Sequence, residues 1–155
     1  YPDVEIVAKE HDDAQPEKSA SITAALIQAH PDIAGFAGFD AGSAPGIVTA
    51  VRESGKAGEI KIVGNDVNTP QLQALEEGIE QFAIGQKREF FGYWGVMMLY
   101  THLKTQLTFT SDDEAAGGIV NIPPRIITGF HYVTPENYQL FVDAFANYEA
   151  MKMKW

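Results

Sequence analysis

Short apolar runs alternate with helical patterns through residues 1–86, and this constrains the fold more than any other feature of the chain. Val4–Ala8 reads as a strand, and His11–Pro16 as a polar loop. From Glu17 onward, Ile22, Ala25, Leu26 and Ala29 recur at i, i+3, i+4 and i+7, which is one face of an α-helix. Pro31 closes that helix, because the residue before a proline is pushed out of the helical region. Ile33–Phe39 is a second strand. A helix opens near Ser43 with Pro45 in its first turn, and Gly55 supplies a left-handed stop. Ile60–Val63 is a third strand. Thr69 then caps a helix with Pro70 at its first position, running through Leu72 and Leu75 to Gly78. Gln81–Ile84 is a fourth strand. Strands and helices joined by short connections predict an α/β fold, a doubly wound parallel sheet with helices on both faces.

The remainder differs in kind. Phe90–Tyr100 carries no charge and is apolar nearly all round, so a helix here needs cover on more than one side. Its length falls short of the roughly 20 residues that span a bilayer, so the cover must be protein. Thr108–Gly118 reads as a polar loop, with Asp112, Asp113 and Glu114 as a solvent-facing run lacking the spacing of a calcium loop. Ile126–Val133 has strand character, and Pro135–Tyr148 reads as a closing helix.

Composition removes several function classes. With 21 acidic and 11 basic residues among 155 the net charge is −10, which argues against nucleic acid as a partner. With no cysteine, thiol catalysis, disulfides and cysteine-held metals are excluded, and an exported protein would suit that usage. The chain opens Tyr1-Pro2-Asp3 without a leader pattern, so it reads as a processed or trimmed piece, with any signal peptide outside it. Gly42-Ser43-Ala44-Pro45-Gly46 approximates a nucleophile elbow, but Ala41 stands where the first glycine belongs, so Ser43 reads as a helix cap. No phosphate-cradling glycine motif occurs. Histidines 11, 30, 102 and 131 never pair at helical spacing, and His11-Asp12-Asp13 reads as solvated loop. The expectation is a non-enzyme that uses no metal and no cofactor.

Ligands of open parallel sheets bind beyond the carboxyl ends of the strands. Phe39-Asp40, Asn65-Asp66 and Gly85-Gln86 occupy those ends here. Carboxylates accept hydrogen bonds from vicinal hydroxyls, a carboxamide both donates and accepts, and a ring stacks on the C–H face of a sugar. The set suits a neutral polyhydroxylated ligand. Asp and Asn are also ordinary turn and cap residues where a strand meets a helix, and that reading stands beside the functional one.

Several segments, taken together, resemble the ribose/galactose-type periplasmic sugar-binding proteins, the substrate-binding components of ABC transporters. They are Tyr1–Glu5, Ala29–Ile33, Ile62–Asp66, Ile84–Lys87 and Thr128–Asn137, in the family's order. The T-G-x-x-x-V-T-x-E-N stretch from Thr128 is the most specific of them. The resemblance implies two lobes that close on a sugar, of which residues 1–86 are the C-terminal lobe, incomplete at its start. Residues 87–118 would be a crossover helix and loop packing on an N-terminal lobe missing from this chain, and residues 119–155 a returning strand and closing helix. It further implies that Asp66 bonds sugar hydroxyls, that Gln86 stands at the last crossover, and that Phe39 replaces an asparagine beside Asp40. The implied partners are a sugar or polyol and a membrane permease, and the implied location is periplasmic or otherwise extracytoplasmic, with a lipid anchor as one variant. A ligand-sensing domain of a sugar-responsive regulator or sensor kinase is the alternative.

Overall fold

The structure, a computed structural model, describes residues 3–104, 116–118 and 125–152. The chain divides into two compact units, one formed by Tyr1–Gly85 with Tyr132–Trp155 and the other by Gln86–His131. In chain order the elements are α1 (Pro16–Ala29), β1 (Gly35–Ala37), α2 (Ser43–Glu53), β2 (Lys61–Asn65), α3 (Thr69–Glu76), β3 (Phe82–Gln86), α4 (Glu89–Lys104), β4 (Phe130–Val133) and α5 (Tyr138–Lys152). The fold is α/β, as the alternation predicts.

The sheet runs β1-β2-β3-β4. β1 pairs parallel with β2, Gly35 opposite Lys61 and Ala37 opposite Val63, and β2 pairs parallel with β3, Val63 opposite Phe82 and Asn65 opposite Ile84. Strand side chains alternate between faces, so Ile62 and Gly64 of β2 point inward while Lys61 and Val63 point out. Ile62 belongs to a buried cluster with Ile27 of α1, Ile47, Val48 and Val51 of α2, Ile60, Ala74 and Ile79. A second cluster joins Val67, Leu72, Leu75, Ala83 and Val133, flanked by Tyr138 and Phe141 of α5.

α1 and α2 approach closely at Gly46, where a Cβ would run into the Pro16 carbonyl and the Ser19 side chain. That packing accounts for a glycine inside a helix, where it otherwise weakens the element. Ser19 also donates from Oγ to the Ser43 carbonyl at 2.9 Å.

Four local expectations are corrected. Val4–Ala8 forms no strand; Val4 and Ile6 stay exposed, and among the described residues no neighbouring strand receives their backbone groups. A β-pattern becomes a strand only when a partner is present. The Ile33–Phe39 and Ile126–Val133 runs shorten to three and four residues. The α3 cap is Asn68 rather than Thr69: its Oδ1 accepts the Gln71 backbone N–H at 3.1 Å. Ser43 is the first residue of α2 and is not its side-chain cap. Gly55 is left-handed as expected, with φ +72°. The Asp112–Glu114 run lies outside the described residues.

Candidate functional site

The carboxyl ends of β1 and β2 lie side by side because the strands are parallel, and two side-chain amides fasten their loops together. Asn65 Nδ2 donates to the Phe39 carbonyl at 3.3 Å, and Asn68 Nδ2 donates to the Ala41 carbonyl at 3.2 Å. Phe39, Asp40, Asn65 and Asp66 are thereby brought into one neighbourhood of the first unit.

Each of the four is held differently. Phe39 is 84% exposed, an unusual state for an aromatic ring. Asp40 Oδ1 accepts the backbone N–H groups of Gly42 (2.8 Å) and Ser43 (2.9 Å), so this carboxylate caps α2, satisfying N–H groups that have no partner within the helix. Asn65 ends β2. Asp66 is left-handed at φ +71°, in a region that aspartate tolerates better than most residues. Its N–H donates to the Ile84 carbonyl at 2.8 Å, which ties the turn to β3. Gln86, the fifth candidate, is the last residue of β3 and the first of the second unit.

Beneath the Asp66 turn lie two polar side chains that pattern reading passed over. Gln71 and Glu80 are both wholly buried. Gln71 Nε2 donates to the Asn65 carbonyl at 3.1 Å and reaches Glu80 Oε1 at 3.5 Å. Burial pushes the Glu80 carboxyl up to about 7, against hydrogen bonds from Gln71 and the Gly64 backbone that favour its charged form. The available signal was Glu80 itself, a carboxylate two residues after the Gly78 helix stop, where the approach to a strand is usually apolar. Asp12, read from the sequence as part of a solvated loop, instead touches the start of α2. Burial acts against its charge, but hydrogen bonds from Ser43, the Ala14 backbone and Ser19 outweigh that and hold its carboxyl below the usual range.

One concavity of about 320 Å³ belongs to the second unit, lined by Phe91, Trp94, Met98 and Ile126, and one of about 290 Å³ lies between α3 and α5 of the first. Among the described residues no three His, Asp or Glu side chains gather as a metal cluster, and no helix is long and apolar enough to cross a membrane.

The Thr128–Asn137 stretch works as a helix entry. Asn137 Oδ1 accepts the Thr134 N–H at 2.9 Å while its Nδ2 donates to the Tyr132 carbonyl at 3.0 Å. A hydrogen bond from the Thr134 side chain holds the Glu136 carboxyl below its usual range.

Residues 1–107 match the profile of the periplasmic binding protein domain. The D-ribose/D-allose-binding protein of Pseudomonas aeruginosa is 27% identical over 126 residues, 81% of this chain and 38% of that protein. Among solved structures, an ABC transporter solute-binding protein from Agrobacterium vitis, bound with α-D-tagatopyranose, superposes with a TM-score of 0.75 at 30% identity, covering 88% of this chain and 41% of its own. The arabinose-binding protein AraP of Geobacillus stearothermophilus gives a TM-score of 0.78 at 26% identity, with 91% and 47% covered. The chain spans less than half the length of each. With this profile over more than half of its residues, the chain belongs to the periplasmic binding protein domain family.

Proposed function

We propose that this chain is the larger part of one lobe of a two-lobed solute-binding protein, and that the whole protein captures a neutral sugar or polyol for an ABC transporter outside the cytoplasm. The observation that carries the reading is the meeting of Phe39, Asp40, Asn65 and Asp66 at the carboxyl ends of parallel strands, in a chain of this family. Asp66 accepts hydrogen bonds from sugar hydroxyls, Gln86 both donates and accepts, and the exposed Phe39 ring stacks on the sugar's apolar face. Asp40 and Asn65 line the same loops and fix their shape. Relatives named for ribose, allose, tagatose and arabinose support the ligand class.

The other half of the clamp is a second lobe, and α4 is where it packs. Glu89–Lys104 has no buried residue, and Val96, Leu99 and Leu103 are each at least 60% exposed. Apolar surface on that scale marks an interaction site. The chain alone should therefore self-associate in size-exclusion chromatography with light scattering and bind sugar weakly. A stable 17.0 kDa monomer that binds sugar tightly would refute the two-lobe reading.

The ligand test is a thermal-shift panel on the two-lobed protein with D-ribose, D-allose, D-tagatose, arabinose, inositols, amino acids, nucleotides and divalent cations. Stabilisation by one or more sugars or polyols is the expected result. A response confined to amino acids, nucleotides or metals would overturn it.

A further inference from the structure

Gln71 and Glu80 carry an inference that deepens the reading of Asp66 and rests on it. Both side chains are fully shielded from solvent, and among the described residues Gln71 Oε1 and Glu80 Oε2 have no hydrogen-bond partner. They press against β2 only because residue 64 is glycine: a Cβ there would collide with Glu80 Oε1 and Gln71 Nε2. An apolar pair would fill the same space without desolvation cost. What the polar pair adds is a set of hydrogen bonds, and these go to the backbone of the turn. Gln71 Nε2 binds the Asn65 carbonyl, and the Gly64 backbone binds Glu80. Asp66, next in sequence, is the left-handed residue at φ +71°.

We propose that Gln71 and Glu80 are positioning residues of the sugar site, fixing through the Gly64 and Asn65 backbone the turn that presents Asp66. The groups that act on the Glu80 carboxyl are Gln71 from α3 and the Gly64 backbone from β2, with no ionised side chain of α2, α3 or β2 among them. Ala44 is what α2 presents at this point. The neutral acid gains an O–H donor in a pocket that already holds an orphaned acceptor, Gln71 Oε1. The ionised form has no donor to offer and keeps a charge out of water. Burial outweighs the hydrogen bonds from Gln71 and the Gly64 backbone that favour the charge. The turn is therefore compatible with the neutral acid and strained by the ionised one, and sugar affinity falls as pH rises through about 7.

The test uses the two-lobed protein and reads two signals. Without sugar, the backbone amide resonances of Gly64 and Asp66 should titrate together with a midpoint near 7 in the wild type and stay flat in Glu80→Gln. With the panel sugar that stabilises most, affinity should weaken about threefold from pH 6 to pH 8 in the wild type. In Glu80→Gln, which removes the titrating group, affinity should not differ between the two pH values. Gln71→Leu should bind more weakly at both pH values; should it fail to fold, Glu80→Gln decides. Amides that do not follow Glu80, with affinity equally flat in both proteins, would overturn the positioning role. Should no panel sugar bind, the reading of Asp66 falls, while the amide titration still decides whether Glu80 controls the turn.

Discussion

α3 and α4 invert the usual link between hydropathy and burial. α3 is eight residues of mixed polarity, yet Gln71, Leu72, Ala74 and Leu75 are buried. α4 is sixteen residues with an uncharged apolar centre, yet none of them is buried. The difference is what lies opposite each helix. Leu72 and Leu75 meet Val67, Ala83 and Val133 in the second core cluster. A helix apolar all round exceeds what a single neighbour can cover. Burial is thus a property of the assembly, and α4 has the composition of a core element without any buried residue.

That contrast breaks most readily under truncation. Leu75→Ala should cost about 2–5 kcal/mol in urea unfolding, because it empties a fully buried site. Leu99→Ala on α4 should cost under about 0.5 kcal/mol in the isolated chain. In the two-lobed protein the second value should rise toward the first. Equal, small costs for Leu99→Ala in both settings would remove α4 from any interface.

Glu80 sharpens the comparison inside the first unit. Folding raises its pKa from 4.5 to about 7, so between those values the folded state keeps a proton that the unfolded chain has released. Stability contributed by the neutral acid is complete below about pH 4.5, declines as pH rises toward 7, and is absent above. At about 1.4 kcal/mol per pH unit the window corresponds to about 3 kcal/mol. Glu80→Gln should flatten this slope in unfolding curves taken at successive pH values and be the more stable protein at pH 8. An unchanged slope would move the titration to another group.

Two aspartates at neighbouring strand ends separate ligand work from local structure. Asp66→Ala should weaken sugar binding by about 2–3 kcal/mol, since hydroxyls buried against it lose their partner. That is about thirtyfold or more by calorimetry. Normal affinity would show that Asp66 is only a turn residue. Asp40→Ala should have the smaller effect on binding and cost about 1 kcal/mol of stability through loss of the α2 cap. A binding loss equal to that of Asp66→Ala would place both carboxylates on the sugar.

Much of the architecture was legible in local pattern. The spacing of Ile22, Ala25, Leu26 and Ala29 specified α1, Gly55 marked the end of α2, and the runs at Ile60 and Gln81 located β2 and β3 within one or two residues. Val4–Ala8 carried an equally good strand pattern and forms none. A helix closes its hydrogen bonds within itself, whereas a strand closes them only against a neighbour, so strand patterns alone over-predict. For the candidate site, pattern located Phe39, Asp40, Asn65, Asp66 and Gln86 at strand ends but did not separate a cap from a ligand group. It also missed Gln71 and Glu80, because burial of a polar residue depends on which backbone approaches it.

By itself, the sequence determined the order of most helices and strands, the left-handed stop at Gly55, and a set of polar groups at the strand ends. These are effects of neighbours along the chain, where sterics and short-range hydrogen bonds act. Only the tertiary structure decided that Asn65 and Asn68 fasten two loops, that α4 has no buried residue, and that Glu80 lies in the dark beneath Gly64 with its carboxyl pushed up to about 7. The loop ties join groups 26 and 27 residues apart, and the Glu80 environment depends on which backbone approaches it out of water, where an unpaired charge or an unfilled space costs far more than it does along an exposed chain.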